Sequence, residues 1–97
     1  MYTITSSHRD VISPHTTIAD SFDQAWSEAC HRLSQEIYSY LQVGHFKLEY
    51  LIVDTVTAEV IDLDLAGIDE FLTRHGAIQI CVLDSGETIY CVHIEVV

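Results

Sequence analysis

The chain has 97 residues, of which 15 are Asp or Glu and 4 are Lys or Arg, so its formal net charge is -11. Hydrophobic residues make up 48% of the sequence and the mean hydropathy is +0.21, which excludes the class of disordered acidic chains. The shortage of Lys and Arg argues against direct binding to nucleic acid or to an anionic membrane surface. The length predicts one small core and therefore a single domain, 1–97.

Two features bear on the compartment in which the protein resides. Residues 1–9 contain no apolar core of signal-peptide length, and no apolar run approaches the roughly 18 residues that span a bilayer. Cys30, Cys81 and Cys91 are odd in number, lack a C-x-x-C spacing and lie in apolar periodic segments. We therefore expect a cytoplasmic protein, outside any membrane, whose thiols are buried and reduced.

The first half of the chain predicts one strand, one loop and one long helix. Residues 2–6 alternate Tyr and Ile with small polar residues and predict a short strand, whereas the polar residues 7–20 predict the longest loop. A helix over residues 22–43 is the strongest signal, because Ser21 begins a capping-box pattern and Gly44 supplies a left-handed stop. Its apolar residues recur at spacings of three and four, so one stripe of the helix should face a sheet.

In the middle of the chain the apolar period changes from about 3.6 to 2, which indicates strands. Residues 45–54 predict a strand, and residues 58–63 predict another after a turn. Asp64 then caps a short helix over residues 65–75, which Gly76 ends.

The C-terminal third predicts a β-hairpin formed by residues 77–83 and 88–97. An even-length turn would place Val82 opposite Ile89, and both faces of the hairpin would then be largely apolar. Such a sheet needs a second cover, either a partner or another copy of the chain, unless the sheet is more closed. Three side chains on one of these faces are candidates for a sheet interface: Tyr90, Val92 and Ile94.

The predicted order of elements is β-α-β-β-α-β-β. This order indicates an α+β protein with a split βαβ, ferredoxin-like antiparallel sheet, one long helix and one short helix.

No pattern in the sequence indicates catalysis. The four glycines are dispersed, no G-x-S-x-G elbow occurs, and Cys81 and Cys91 lie within predicted strands. We therefore expect no catalytic residue, no cofactor and no enzymatic activity. Metal binding is also not predicted, although His8, Asp10 and His15 are suitable ligand types for a divalent metal and remain a hypothesis.

Negative charge is distributed unevenly along the chain. Residues 1–48 carry five carboxylates and three Lys or Arg, a net charge of -2, whereas residues 49–97 carry ten carboxylates and Arg74 alone, a net charge of -9. If the unit around the short helix is compact, this charge gathers on one surface that attracts a basic partner. The predicted contact residues are Asp54, Glu59, Asp62, Asp64, Asp69 and Glu70.

These observations predict a small acidic inhibitor that occupies the basic nucleic-acid-binding surface of a larger protein. In size, charge and element content the chain resembles anti-CRISPR and DNA-mimic proteins of phages and plasmids, and also immunity proteins and antitoxins against basic nucleases. The resemblance implies a protein partner with a basic surface, such as a nuclease. Three alternatives stay open: a homodimeric binding or accessory module that uses the C-terminal sheet face, a charge that serves solubility only, and an enzyme whose chemistry lies on loops.

Overall fold

The computed structural model describes residues 1–9 and 14–97, and in these residues the chain forms five strands and two helices. The strands form one sheet in the order β2-β1-β5-β4-β3, and every neighbouring pair is antiparallel. The α+β class is therefore confirmed. The elements are β1 (Tyr2–His8), β2 (His15–Ala19), α1 (Phe22–Gln42), β3 (Leu48–Asp54), α2 (Leu65–His75), β4 (Ala77–Asp84) and β5 (Glu87–Val96).

The order of elements, β-β-α-β-α-β-β, differs from the predicted β-α-β-β-α-β-β. A split βαβ unit contains parallel strands joined through a helix, whereas all strand pairs here are antiparallel. The ferredoxin-like arrangement is therefore not matched. Two local differences account for the change, one in the predicted loop and one in the predicted strand over residues 58–63.

The stretch predicted as a loop, residues 7–20, contains the end of β1 and the whole of β2. β2 is an edge strand, where polar side chains are tolerated, and its Thr-Thr-Ile run favours extended backbone. The hydroxyls of Thr5 and Thr16 lie 3.1 Å apart across the pair of strands. Hydropathy alone missed β2 because the strand contributes only Ala19 to the core.

The second local difference is that residues 58–63 do not form the predicted strand. The Asp54 carboxylate accepts a hydrogen bond from the Val56 amide at 2.8 Å, and Ala58 has a positive φ of 60°, so the chain turns tightly after β3. Residues 59–61 then follow the outer edge of β3, but only one bridge forms, between Val53 and Val60. The start of α2 a few residues later leaves no length for a strand.

Both predicted helices are confirmed, with the predicted signals at their ends. The Ser21 hydroxyl accepts the Gln24 amide at 3.2 Å, and Gly44 beyond the end of α1 has a φ of 93°. The Asp64 carboxylate accepts the Gly67 amide at 2.8 Å, and Gly76 ends α2 in the left-handed region.

A β-bulge shifts the register of the C-terminal hairpin. Leu83 lies opposite Thr88 as expected, but Val82 lies opposite Tyr90, so Ile89 is an extra residue on β5. The prediction that Val82 pairs with Ile89 was wrong. Because side chains alternate between the two faces of a strand, one extra residue moves every later side chain of β5 to the other face.

This register makes the two faces of the sheet chemically different. One face, which we call the helix-covered face, carries the core beneath α1 and α2, whose Ile68 and Leu72 are part of it. The opposite face, which we call the open face, carries half-exposed side chains that include Gln79, Cys81 and His93. The expectation of two largely apolar faces was therefore wrong. Six side chains of β4 and β5 on the helix-covered face are at most 3% exposed: Ile78, Ile80, Val82, Tyr90, Val92 and Ile94.

A buried arginine on α1 joins the helix to the β1–β2 hairpin. Arg32 follows Ala25 and Ala29 on the buried stripe of α1 and is only 6% exposed. Its guanidinium donates five hydrogen bonds of 2.6–3.2 Å. The acceptors are the backbone oxygens of Ile4 and His15, the hydroxyls of Ser6 and Thr17, and the carboxylate of Glu28.

Replacement of Arg32 by Ala should lower the free energy of unfolding by about 3 kcal/mol or more, because each buried acceptor left without a donor costs about 1–3 kcal/mol. Urea denaturation followed by circular dichroism measures this loss. Arg74→Ala is the matched control, since it breaks only the exposed Arg74–Glu70 pair and should cost about 0–1 kcal/mol. Equal losses in the two variants would contradict a stabilising role for the Arg32 contacts.

Candidate interaction surface

The six carboxylates predicted as partner contacts lie on one continuous stretch, residues 54–70, which we call the acidic segment. The segment leaves β3, follows the outer edge of that strand and continues into α2. Hydrogen bonds hold it there, from the Asp54 amide to the Glu59 carbonyl at 2.9 Å and from the Ile61 amide to the Ile52 carbonyl at 2.7 Å. Four of the six residues are exposed and two are half-exposed. The exposed residues are Glu59, Asp62, Asp64 and Glu70, and the half-exposed ones are Asp54 and Asp69.

Three of these carboxylates also have local structural contacts. Asp54 accepts the Val56 amide in the turn after β3, and Asp64 is the N-cap of α2. Glu70 pairs with Arg74 at 2.7 Å, one turn further along the helix. Of the six, Glu70 alone forms an ion pair within residues 1–9 and 14–97, so most of the negative charge of the segment is not neutralised by the fold.

All four Lys and Arg residues lie outside the acidic segment, and three of them already form ion pairs. Arg9 pairs with Glu87 at 2.8 Å, Arg32 with Glu28 at 2.9 Å, and Arg74 with Glu70. Lys47, the fourth Lys or Arg, is exposed just before β3. The ion pairs of the described residues therefore leave the acidic segment with a net negative charge.

Exposed apolar side chains alternate with the carboxylates of the acidic segment. Val56 is 88% exposed, Val60 59%, Leu63 48% and Leu65 54%. This exposure was not predicted, because residues 58–63 were expected to form a strand of the sheet. A surface that combines carboxylates with uncovered aliphatic side chains differs from a purely polar surface that only keeps a protein in solution.

An apolar groove opens between α1 and the β3 side of the sheet. It encloses about 210 Å³, and Ser34 is the polar side chain on its wall. α1 packs on β1, β2 and β5, which leaves β3 less covered, and Tyr50 on β3 is 66% exposed. The groove adjoins the acidic segment, since Ile52 on its floor accepts the hydrogen bond from Ile61. The other lining residues are Trp26, Cys30, Leu33, Ile37, Tyr50 and Ile80.

The side chains predicted as a sheet interface, Tyr90, Val92 and Ile94, lie in the core. They are 3%, 0% and 0% exposed on the helix-covered face, because the bulge at Ile89 turns them inward. A dimer that used them would have to open the core, so the choice of these three residues is corrected. Burial also raises the pKa of the Tyr90 phenol, while its hydrogen bond with Ser6 acts in the opposite direction.

Two histidines are held by carboxylates near a second cavity of about 200 Å³. His8 Nε2 lies 2.7 Å from a Glu36 oxygen, and His45 Nδ1 lies 2.6 Å from an Asp84 oxygen. Among residues 1–9 and 14–97, no group of three or more His, Cys, Asp or Glu side chains is arranged to hold a metal ion. The hypothesis of a site from His8, Asp10 and His15 involves Asp10, which lies outside the described residues.

Comparison with known proteins adds no assignment. No protein-family model, curated protein or solved structure matches this chain. In the part of the chain that the structure describes, neither helix combines the length and the apolar character needed to cross a membrane.

The double position of Asp64, on the acidic segment and at the start of α2, predicts a difference between two substitutions. Asp64→Ala removes the cap and should lower the free energy of unfolding by about 1 kcal/mol, whereas Asp64→Asn keeps a capping oxygen and should cost only a few tenths. Thermal or urea denaturation of the two variants measures the difference. The same loss in both would show that the charge of Asp64, rather than its cap, stabilises the helix.

Proposed function

We propose that the protein is a non-enzymatic inhibitor that binds a basic surface of a larger protein through the acidic segment and the apolar side chains beside it. The partner that fits is a nucleic-acid-binding protein, because its phosphate-binding surface is rich in Lys and Arg. Occupation of that surface would exclude nucleic acid without any catalytic step. The observation that carries the proposal is the coincidence of unpaired carboxylates and exposed aliphatic side chains on residues 54–70.

The charge of the acidic segment supports recognition and fast association. Carboxylates placed opposite Arg can form bidentate hydrogen bonds, the same geometry that a phosphate offers. Fields from exposed charges extend over a Debye length of about 8–10 Å at physiological salt, so several neighbouring carboxylates act together on an approaching basic surface. Complementary charge of this kind raises the association rate and selects the partner more than it raises affinity.

The apolar side chains of the acidic segment and the groove would supply most of the affinity for the partner. Stable interfaces owe most of their affinity to a few well-buried apolar or aromatic anchors surrounded by polar groups. Val60 and Leu63 lie between carboxylates of the acidic segment, and the groove beside Tyr50 adjoins it. We therefore expect the partner to contact both the segment and the groove.

Charge-neutral variants of nearly identical shape test the proposal. The probe is a panel of purified nucleases and CRISPR effector complexes, each loaded with fluorescent duplex DNA, and fluorescence polarisation reports DNA release. We expect a quadruple variant of the acidic segment to release DNA at least about tenfold less effectively, a loss of about 1.4 kcal/mol. Its substitutions are Glu59→Gln, Asp62→Asn, Asp64→Asn and Glu70→Gln.

A second quadruple variant with the same change in net charge is the control, and its activity should stay within about twofold of the unmodified chain, because its substitutions lie outside the segment. Direct binding of the chain to the DNA-free partner should also weaken as salt rises from about 50 to 200 mM, because salt screens the attraction between exposed charges. Failure to release DNA from any complex, or binding that changes neither with salt nor with the first set of substitutions, would contradict the proposal. The control substitutions, all at exposed positions, are Asp20→Asn, Asp23→Asn, Glu49→Gln and Glu95→Gln.

A further inference from the structure

Two cysteines face each other across the centre of the sheet. Cys81 on β4 and Cys91 on β5 are direct register partners, and their Sγ atoms lie 3.6 Å apart. Both side chains are on the open face and half-exposed, so they are less buried than predicted. Their cross-strand neighbours on the same row are Leu51 and Ser7, and neither is a competing thiol.

The backbone is already spaced for a covalent bond between these residues. Opposed residues in antiparallel strands have Cα atoms about 4.5 or 5.5 Å apart, and disulfides span Cα separations of about 4.4–6.8 Å. Rotation of the two side chains is therefore enough to bring the sulfur atoms together, without any movement of the strands.

We propose that Cys81 and Cys91 are a reversible modification site, at which a low-molecular-weight disulfide such as oxidised glutathione converts the two thiols into an intramolecular disulfide. This site is independent of the acidic segment. Evidence against the disulfide would therefore leave the proposed function unaffected.

The reaction proceeds in two thiol–disulfide exchanges. Cys91 loses its proton to solvent and its sulfur attacks one sulfur of oxidised glutathione; the S–S bond breaks, and one glutathione leaves as a thiolate that takes up a proton. Cys81 then loses its proton and attacks Cys91 Sγ, which releases the second glutathione. The protein gives up two electrons and two protons, and oxidised glutathione becomes two molecules of reduced glutathione.

The protonation of the two thiols determines which of them reacts first and how fast. Burial, the hydrogen bond with Cys91 and the nearby charge of Cys91 raise the pKa of Cys81 to about 12, so at neutral pH its thiolate is rare and Cys91 is the first to react. Once Cys91 is bound to glutathione, it is no longer a thiolate, so neither its charge nor a hydrogen bond that it accepts from Cys81 keeps the pKa of Cys81 raised. Because the thiolate is the nucleophile, we expect the reaction to accelerate as the pH rises. The rate should increase about tenfold per pH unit while the pH is well below the pKa of the attacking thiol.

Cys30 provides an internal reference. It lies on α1 and lines the groove over the helix-covered face, so the sheet separates it from the other two thiols. Burial raises the pKa of its thiol as well. In the folded protein it cannot pair with Cys81 or Cys91, and it should remain a free thiol.

The experiment uses the full chain, incubated with oxidised glutathione, quenched with acid, alkylated and analysed by intact and peptide mass spectrometry. We expect a mass lower by two hydrogen atoms before alkylation, one alkylated thiol at Cys30, and a peptide pair joined through Cys81 and Cys91. Reduction with dithiothreitol should restore three alkylated thiols. The oxidised chain should also unfold at a temperature several degrees higher, because the bond constrains the unfolded state.

Cys81→Ser and Cys91→Ser are matched variants, each of which leaves one thiol of the pair. Each should gain a glutathione adduct at the remaining cysteine and show neither the loss of two hydrogens nor the rise in unfolding temperature. Three results with the unmodified chain would overturn the proposal. They are glutathione adducts without an intramolecular bond, a bond through Cys30, and three free thiols in a buffer that fully oxidises dithiothreitol. Peptide mapping of the unmodified chain decides this even if a variant fails to fold.

Discussion

The guanidinium of Arg32 is the contact on which the arrangement of the layers depends. An arginine held out of water is costly unless its donors are satisfied, and here Glu28 balances the charge while backbone and hydroxyl oxygens of β1 and β2 accept its other protons. β2 is short and polar and buries little besides Ala19, so these bonds are a main link between the edge of the sheet and α1. These bonds also hold α1 over the β1–β2 side of the sheet. Because α1 lies there, β3 is less covered, and the apolar groove opens beside it.

Part of this fold was predictable because it depends on signals that act within a few residues. The carboxylate of Asp64 meets the amide of Gly67 three residues on, and Gly76 ends its helix by its own backbone freedom. The bulge at Ile89 and the strand β2 depend on pairing with a neighbouring strand, and the hydropathy pattern marks neither of them. One clue was overlooked: Arg32 continues the spacing of the apolar stripe of α1 and therefore had to face the interior.

The candidate surface was predictable to a similar degree. Counting charges along the chain was enough to select residues 54–70, since counting needs no knowledge of tertiary contacts. The exposure of Val60 and Leu63 was not predictable, because a β-branched apolar stretch has the same pattern whether or not another strand lies beside it. β3 is an edge strand, and within the described residues its outer side forms only a single bridge, so Val60 and Leu63 remain exposed instead of joining the sheet.

The way in which the acidic segment is attached bears on the entropy of association. It is fastened to β3 by backbone hydrogen bonds at Asp54 and Ile61 and to α2 by the Asp64 cap, so both of its ends belong to the rigid framework. A loop that must become ordered on contact loses conformational freedom and binds more weakly for the same buried area. The backbone of this segment already has a defined arrangement, so binding to the proposed partner would retain more of the interaction energy as affinity.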